Sequence, residues 1–354
     1  MPALLIVNPH ATATTPLSRD VITHALASQI DLEVVETRYR GHAGTLAREA
    51  ASEGFQLILT LGGDGTVNEA VNGLLRGAQP GTEPALAPVP GGNANVFTRA
   101  LGLPADPVDA TGRILEALRA GRDRRVGLGC ASLDQACLDQ ACLDQATPHQ
   151  ANPVPAGPNQ ANPDQANPGQ ASPHQARRDR YFTFNAGLGL DAEVVRVIEG
   201  LRAGGRTLTP GLYLRTALRQ FYGVTDRRHP ALTLEREGKS AIGYLFLAII
   251  SNTSPWTYLG PRPVNPSPGA GFDTGLDIFA LRRMRTIGTL SALRQMFAQR
   301  SEPPGGRDVV SLHDQPSFTL RADRPVALQV DGEYVGEHES VTFRAVPRAL
   351  RVIA

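Results

Sequence analysis

Short apolar runs alternate with helical patterns along the first 127 residues of the chain. Each apolar run has the length of a buried strand and is bounded by polar or turn residues. Strands that alternate with helices are typical of parallel βαβ units, so this part is predicted to form an α/β sandwich. The predicted strands are ALLIV (3–7), LEVVE (32–36), FQLILTL (55–61) and ALAPV (85–89), and the predicted helices cover 17–29, 43–53, 66–76, 94–101 and 107–120.

From about residue 231 onward the apolar residues alternate with period 2, and turn signals separate the runs. This pattern is typical of antiparallel strands, so we predict a second domain that is a mainly antiparallel β-sandwich. Two helical patterns, around 210–222 and 284–299, interrupt the strands. The predicted strands are ALTLERE, SAIGYLFLAII, GLDIFAL, SFTLRA, PVALQVDG, SVTFRAV and ALRVI.

A five-residue tandem repeat rich in Pro, Asn and Asp separates the two parts, at residues 131–176. Its period is too short for a solenoid unit, and it holds too few apolar residues to bury a core. We therefore expect a disordered insertion.

Composition narrows the class of protein. The chain has 354 residues, 41% of them hydrophobic, and a formal net charge of +1, which argues against a nucleic-acid binder. The three cysteines, Cys130, Cys137 and Cys142, lie in one low-complexity stretch and indicate neither a disulfide framework nor a zinc site. The amino terminus lacks the basic segment of a signal peptide, and no apolar run approaches the length of a membrane span. These features predict a cytoplasmic protein in which any membrane contact would be peripheral.

The segment LTLGGDGTVNEAVNGLL (59–75) carries a glycine-rich turn between a predicted strand and a predicted helix. Thr66 and Glu69 have the spacing of a capping box, which would open the helix at the loop. Free N–H groups and the positive end of the helix dipole would then face a bound anion. No lysine follows the glycines, which excludes a Walker A motif but not phosphate binding. The alternative is an ordinary tight turn.

Two further strand ends carry polar residues in the same way. PVPGGNANVF (88–97) repeats the double glycine before a helix, and Asn8 to Thr12 follow the first strand. Ligands of open α/β sheets bind at the carboxyl ends of the strands, where all three segments lie. Together they favour a nucleotide pocket over three unrelated turns.

The motifs IVNP, GGDGTVNEAVNGL and PGGNANVFTRALGLP resemble those of the diacylglycerol kinase catalytic-domain family, which includes bacterial lipid kinases and the sphingosine kinases. The resemblance covers the chain apart from the repeat. It implies an α/β domain like that of NAD kinases followed by a β-sandwich, and transfer of the γ-phosphate of ATP to a lipid hydroxyl with Mg²⁺. The implied domains are a nucleotide-binding domain at 1–127, to which 345–354 would return, the insertion at 131–176, and a lipid-binding β-sandwich at 177–344.

The family motifs also imply nucleotide-binding positions. For Thr37, which ends the second predicted strand, a capping or turn role is an equal alternative. Val96 stands where the family commonly has an aspartate, so a charge network that uses this position is absent here. The implied positions are Asn8, Pro9, His10, Ala11, Thr12, Thr37, Gly62, Gly63, Asp64, Gly65, Thr66, Val67, Asn68, Glu69, Gly92, Asn93 and Asn95.

A pair of carboxylates, Asp331 and Glu333, flanks Gly332 at a strand end in LQVDGEYVGE (328–337). Asp-Gly is also a common hairpin signal, and the spacing alone favours that interpretation. The family carries the same Asp-Gly-Glu motif, which implies Glu333 as the proton acceptor and Asp331 and Asp64 as organisers of Mg²⁺. Asp64 is the main competitor for the catalytic role.

The family also implies a second Mg²⁺ site, built around Asp-Asp-Gly in the β domain. This chain reads Asp273-Thr274-Gly275, and threonine is a poorer Mg²⁺ ligand than a carboxylate. The site is therefore expected only if Asp273 or Asp277 serves instead. A nearby segment, 251–266, holds the only tryptophan and would be either a lipid-contacting rim or a rigid loop packed on the sandwich.

The sequence thus predicts an ATP-dependent lipid kinase, with diacylglycerol as the default acceptor and phosphatidic acid as the product. The alternatives are a kinase for sphingoid bases or other lipid alcohols, an NAD kinase, and a non-catalytic module that senses a nucleotide or lipid. The expected partner is a lipid substrate at the inner face of the membrane, with no nucleic acid, and a homodimer is compatible with the sequence.

Overall fold

The computed structural model describes residues 1–77, 83–133, 178–203 and 229–354. Nearly all of the described strands belong to one continuous sheet. The strands are β1 (Pro2–Val7), β2 (Asp31–Glu36), β3 (Leu57–Gly62), β4 (Ala85–Pro90), β5 (Arg124–Leu133), β6 (Arg178–Phe182), β7 (Asn185–Gly189), β8 (Leu232–Glu235), β9 (Ile242–Leu245), β10 (Leu247–Ser251), β11 (Thr257–Leu259), β12 (Arg262–Val264), β13 (Leu276–Leu281), β14 (Val309–Gln315), β15 (Ser317–Val330) and β16 (Glu333–Val352). The helices are α1 (Pro16–Ala27), α2 (His42–Glu53), α3 (Asp64–Gly77), α4 (Val96–Ala100), α5 (Pro107–Arg119), α6 (Leu190–Ala203) and α7 (Thr286–Met296).

Strands β2, β1, β3 and β4 lie side by side in that order and are parallel. Helices α1 and α5 cover one face around Ile22 and Ile114, and α2 and α3 cover the other around Ala47 and Val71. Both faces are buried, which is why β3 and β4 appear in the sequence as continuous apolar runs. The predicted α/β sandwich is confirmed.

The rest of the sheet is mainly antiparallel, in the order β14-β13-β10-β7-β15-β16, and it joins the parallel strands where β16 meets β4. Strands β5, β6, β8 and β9 attach to this part and help to enclose a second core that holds Phe182, Phe318 and Phe343. The predicted mainly antiparallel second part is therefore confirmed.

Two pairs of predicted strands are continuous in the structure. SFTLRA and PVALQVDG merge into β15, and SVTFRAV and ALRVI merge into β16. The polar and proline residues between them produce register shifts, between Arg321 and Val326 and between Val346 and Leu350, rather than turns. Irregularities of this kind let a strand bend without leaving the sheet.

The last strand connects the two parts of the fold. Val352 lies opposite Leu86 of β4 in parallel register, while the residues before it pair with β5 in antiparallel register. Strand β5 extends to Leu133, three residues into the segment predicted to be the repeat, and Cys130 is a buried free cysteine in that strand rather than part of the repeat. The remainder of the repeat, the helical pattern at 210–222, Cys137 and Cys142 lie outside the described residues.

Helix α3 begins at Asp64, two residues before the predicted capping box, and that part of the prediction is wrong. The carbonyl oxygen of Gly63 already accepts the N–H of Val67 at 3.2 Å, so Thr66 lies inside the first turn. Glu69 caps a different helix: its carboxylate accepts the N–H of Gly41 at 2.8 Å and that of Ala43 at 3.2 Å, at the start of α2. The cap residue of α2 is a glycine, which has no side chain to accept from these donors, and Glu69 supplies the acceptor instead.

Helix α6 has no counterpart among the predicted helices. It follows β7 immediately and packs against β15, β16, β7 and β10. Its buried residues include Ala192, Val195 and Ile198, which have helical spacing. The predicted helix around 284–299 corresponds to α7 and is confirmed.

Helices α2 and α3 approach closely because glycines line their contact. A Cβ atom on Gly73 of α3 would collide with the carbonyl oxygen of Gly44 in α2. A Cβ atom on Gly44 would lie 3.0 Å from the carbonyl oxygen of Glu69. This contact fixes the start of α2 beside the middle of α3, where Glu69 reaches the first N–H groups of α2.

We expect Gly73→Ala to lower the free energy of unfolding by about 1–3 kcal/mol, since the added methyl group meets backbone atoms that cannot rotate away. Gly112→Ala in α5 is the matched control, because a Cβ atom there has no neighbour within 4 Å. The control should gain about 0.5–1 kcal/mol from helix propensity. Urea unfolding of the three proteins measures the difference, and equal stabilities would contradict the close contact.

Candidate functional site

The carboxyl ends of β1, β3 and β4 meet at one edge of the parallel sheet, and the β3–α3 and β4–α4 loops touch there through glycines. A Cβ atom on Gly92 would lie 2.7 Å from Cα of Gly63, and one on Gly91 would lie 3.0 Å from Cα of Gly62. The N–H of Gly91 donates to the carbonyl oxygen of Gly62 at 2.7 Å. The glycines therefore permit contact between the two loops, and none of these four residues has a positive φ.

The segment after β1 joins the same edge. The side-chain amide of Asn8 donates to Oγ1 of Thr66 at 3.2 Å, and the hydroxyl of Thr12 donates to Oδ1 of Asn93 at 2.9 Å. Oδ1 of Asn8 accepts the N–H of His10 at 2.9 Å, while Pro9 lies between them and Ala11 is buried. The three segments that the sequence singled out are thus brought together around the start of α3.

Thr37 follows β2 at the same end of the sheet. Its N–H donates to the carbonyl oxygen of Val7 at 2.8 Å, and its side chain is partly exposed. Thr37 therefore lies on the rim of the candidate site, and its hydroxyl takes no part in this main-chain hydrogen bond.

Four of the predicted nucleotide contacts have side chains that face elsewhere. Val67 is buried in the core, and Glu69 caps α2. The amide of buried Asn68 donates to the carbonyl oxygen of Tyr181 at 2.9 Å. Asn95, with φ of +48°, accepts the N–H of Gly92 at 2.9 Å and closes its own loop. The side chains of these four residues are thus engaged in contacts within the protein, and their role in nucleotide binding stays a prediction.

Asp64, the first residue of α3, connects the two glycine loops. Its Oδ1 accepts the N–H of Phe97 at 3.2 Å, in the first turn of α4. Burial raises the pKa of the Asp64 carboxyl to about 6, although hydrogen bonds from the main chain of Val96, Phe97 and Asn95 oppose the rise and nearby Asp331 adds to it. These contacts favour a positioning role for Asp64.

Asp331 is buried, and its carboxylate accepts hydrogen bonds from two other segments of the chain. The amide of Asn68 donates to Oδ2 at 2.7 Å, and the N–H and hydroxyl of Thr183 donate to the same oxygen at 2.7 and 2.8 Å. The N–H groups of Phe184 and Asn185 donate to Oδ1 at 3.0 and 3.1 Å. Burial raises the pKa of the carboxyl, and these donors counteract the rise. The contacts occupy both oxygens, so Asp331 ties α3 to the β6–β7 turn.

The Asp331-Gly332 pair forms the two-residue turn between β15 and β16, with φ of +47° and +78°. The hairpin interpretation is therefore confirmed, and the turn fixes the direction of the residue after it. That residue is Glu333, whose Oε1 would lie 2.9 Å from a Cβ atom on Gly65. A carboxylate about 270 residues away in sequence thus lies against the first turn of α3.

Two arginines that the sequence analysis did not single out contact Glu333. Nη2 of Arg180 lies 2.6 Å from Oε2 of Glu333, and Nη2 of Arg40 lies 3.5 Å from the same oxygen. Nε of Arg180 is buried and has no hydrogen-bond partner among the described residues. Arg40 also approaches Glu199 of α6 at 3.4 Å.

The sequence position of Arg40 indicates a place near the candidate site, whereas that of Arg180 does not. Arg40 lies in TRYRGH, between β2 and α2, at the same sheet edge as the other loops. Arg180 lies on β6, which follows the repeat and reaches α3 only in the folded chain. Arg76, the nearest cation downstream of the loop, donates instead to the carbonyl oxygen of Asp179 at 2.9 Å, from the far end of α3.

The second Mg²⁺ site that the family implies does not fit these residues. The hydroxyl of Thr274 donates to the carbonyl oxygen of Gly271 at 3.0 Å, so it closes the loop itself. Oδ1 of Asp277 contacts Nδ1 of His313 at 2.7 Å and accepts the N–H of Asp314 at 3.0 Å. Asp273 is exposed, and the described residues hold no group of three or more His, Cys, Asp or Glu arranged for a metal ion.

The tryptophan-containing segment 251–266 is packed rather than free. Trp256 lies against the apolar cluster beneath α7, and the side-chain amide of Asn185 donates to its carbonyl oxygen at 2.9 Å. The guanidinium carbon of Arg99 lies 3.4 Å from the ring centroid of Tyr258, which joins this segment to α4. These contacts support the rigid-loop interpretation.

A cavity of about 580 Å³ lies at the opposite edge of the parallel sheet, near Met1, Gln56 and Arg351. It adjoins the amino ends of β1, β3 and β4. Because ligands of such sheets bind at the carboxyl ends, the cavity does not compete with the cluster of loops described above.

Residues 2–130 match the family model described as the diacylglycerol kinase catalytic domain. The amino-terminal part of this chain is therefore similar to that domain. A protein of Chromohalobacter salexigens described as "Probable lipid kinase YegS-like" is 39% identical over 118 residues, which are 33% of this chain and 36% of the relative. A diacylglycerol kinase of Bacillus subtilis is 46% identical over 72 residues, 20% of this chain and 23% of the relative.

The sequence matches therefore span about a third of the first relative and less than a quarter of the second. A solved structure of a diacylglycerol kinase from Bacillus anthracis str. Sterne covers 99% of this chain and 96% of its own, with a TM-score of 0.64 and 19% identity. That likeness extends the shared fold beyond the matched sequence. No helix among the described residues has the length and apolarity needed to cross a membrane.

The raised pKa of Asp64 predicts a dependence of stability on pH. In the folded chain this carboxyl has a pKa of about 6, whereas its ordinary pKa is 3.8. The protonated carboxyl therefore contributes its full stabilisation below pH 3.8, and this stabilisation is lost as the pH rises through about 6. Asp64→Asn keeps an oxygen for the N–H of Phe97 and does not titrate. We expect the free energy of unfolding of Asp64→Asn, relative to that of the wild type, to rise by roughly 3 kcal/mol from pH 4 to pH 7.

Urea unfolding at several pH values measures this difference. Asp31→Asn, at the exposed start of β2, is the matched control and should keep a nearly constant offset from the wild type. An Asp64→Asn offset that is equally constant would show that the carboxyl titrates normally in the folded chain.

Proposed function

We propose that this protein is an ATP-dependent lipid kinase that transfers the γ-phosphate to a lipid hydroxyl, with diacylglycerol as the acceptor and phosphatidic acid as the product. The observation that carries the proposal is the contact between Glu333 and the start of α3 at Gly65. This contact brings a carboxylate to the place where the N–H groups of a glycine-rich loop face outward. The match of residues 2–130 to the model of the diacylglycerol kinase catalytic domain supports the same activity.

The loop after β3 is suited to hold phosphate. The first N–H groups of a helix have no partner within it, and the helix dipole adds positive potential at the same point. In α3 these are the groups around Asp64, Gly65 and Thr66. Asn8 fixes Thr66, and Thr12 and Asn93 fix the neighbouring loops, so the donors are held in place before a nucleotide binds.

The positive charge that a P-loop lysine would supply comes from Arg180 and Arg40 in this proposal. Both guanidinium groups contact the carboxylate of Glu333. A phosphate group at the loop would compete for them, and Nε of Arg180 offers a further donor. Transfer of the arginines to the phosphate would free Glu333 to accept the proton of the lipid hydroxyl.

Mg²⁺ would supply charge neutralisation on the phosphate oxygens during transfer. The aspartates expected to organise it, Asp64 and Asp331, both accept hydrogen bonds from the main chain. We therefore assign them the positioning of the loop and of the Asp-Gly turn, and we derive no step from a metal ion bound to either of them.

A sphingoid base or another lipid alcohol would also suit the proposed chemistry as acceptor, because acyl chains require only interchangeable apolar surfaces. Two competing functions are an NAD kinase and a non-catalytic module that senses a nucleotide or lipid. Incubation with labelled ATP and either NAD or a total lipid extract separates them. Phosphorylated NAD would support the NAD kinase, and ATP binding without transfer to any lipid would support the sensing module.

We expect Glu333→Gln to lower kcat for lipid phosphorylation by about a hundred- to ten-thousand-fold, since the amide cannot accept the hydroxyl proton. ATP binding should be retained, because the loop donors are unchanged. Glu337→Gln is the matched control: Glu337 lies on the same strand, is exposed and pairs with Arg196 at 3.1 Å. Full turnover by Glu333→Gln with labelled ATP and a lipid extract would refute the assignment of the proton acceptor.

We expect Arg180→Met to lower kcat/KM for ATP by about a hundredfold, because the charge that balances the phosphate is lost. Arg76→Met is the control, since Arg76 contacts a neighbouring residue on β6, Asp179, from the far end of α3. Initial rates at varied ATP concentration measure the effect. Equal rates for Arg180→Met and Arg76→Met would show that Arg180 does not contribute to the nucleotide site.

A further inference from the structure

Helix α7 leaves an apolar face open to solvent. Its inner face packs on the sheet through Thr289, Ala292 and Met296. The outer face carries side chains with large exposed fractions at spacings of three and four residues, which places them on one side of the helix. They are Ile287 (85% exposed), Leu290 (53%), Leu293 (39%) and, just past the helix, Phe297 (38%).

A face of this kind is unusual for a surface helix, which ordinarily presents polar residues outward. Single exposed apolar residues need no explanation, whereas a contiguous apolar patch indicates a contact surface. We call Ile287, Leu290, Leu293 and Phe297 the α7 face.

Positive charge surrounds the α7 face. Residues 282–308 contain six arginines and only two acidic residues, although the whole chain has a net charge of +1. Asp308 pairs loosely with one of the arginines, Arg283, at 3.9 Å. All six arginines are exposed: Arg282, Arg283, Arg285, Arg294, Arg300 and Arg307.

The α7 face and the candidate site are linked through one side of the sheet. The cluster beneath α7 includes Ile249 and Phe279 and continues to Leu190 at the start of α6. Helix α6 in turn carries Glu199, which approaches Arg40 at 3.4 Å beside Glu333. A surface that contacts α7 would therefore lie on the side of the sheet that carries α6 and its contact with Arg40.

We propose that the α7 face docks on an anionic phospholipid bilayer. Apolar side chains on one face with arginines around them are typical of helices that lie in the membrane interface, where the arginines meet lipid phosphates. The eleven-residue helix offers few apolar anchors, so the contact is reversible and weakens with salt. The inference deepens the proposed function and rests on it, because a kinase for a lipid hydroxyl must reach a bilayer.

Flotation of the full chain with vesicles tests the proposal, without nucleotide and therefore independently of kinase activity. The vesicles are phosphatidylcholine alone or phosphatidylcholine with phosphatidylglycerol. We expect binding only to the anionic vesicles and at least about tenfold weaker binding after the double change Ile287→Ser and Leu290→Ser. Replacement of Arg282, Arg283 and Arg285 by Gln should weaken binding and reduce its dependence on salt.

The matched control changes Leu17 and Val21 of α1 to Ser, since these side chains are also exposed, at 74% and 47%. Its binding should equal that of the wild type, and thermal unfolding should show that all of the variants are folded. Equal binding by all of the variants, or no binding by the wild type, would overturn the proposal. Light scattering that shows a dimer converted to a monomer by the α7 changes, with vesicle binding unaltered, would instead assign the face to a second copy of the chain. Absence of kinase activity in the wild type, with its vesicle binding intact, would count against the proposed function alone.

Discussion

The carboxylate of Asp331 holds the candidate site together. It accepts donors from Asn68 on α3 and from the turn between β6 and β7, while it forms the hairpin that precedes Glu333. Buried Gln329 supports the same hairpin, because its Oε1 accepts the N–H of Gly332 at 2.9 Å and its amide donates to Asn185 at 2.7 Å. Since a buried carboxylate is costly without such partners, the three segments can satisfy it only by staying together.

The arrangement of the sheet explains how the site is assembled from distant parts of the chain. Strand β16 pairs with β5 along much of its length and meets β4 near its end, so the antiparallel and parallel regions share a strand. Glu333 begins this strand, and β6 brings Arg180 alongside α3. The positions of Glu333 and Arg180 therefore depend on pairing between strands rather than on local sequence.

Glycine serves a different purpose at this site from the one that the loop sequence first indicates. The glycines after β3 and β4 meet each other, and those of α2 and α3 allow two helices to touch. Glu69, whose spacing resembled a capping box, completes the start of α2 because that helix approaches so closely. Local patterns predict which residues have a structural or functional role, and the packing of neighbouring elements decides what each of them contacts.

The sequence by itself determined the alternation of strands and helices, the mainly antiparallel second part and the meeting of three polar strand ends, because these depend on periodicity and on turn residues. It also singled out Asp64, Asp331 and Glu333. The tertiary structure decided that both aspartates are held by main-chain donors and that Arg180 and Arg40 contact Glu333. Side-chain partners this far apart in sequence are fixed by strand register and burial, which no local pattern records.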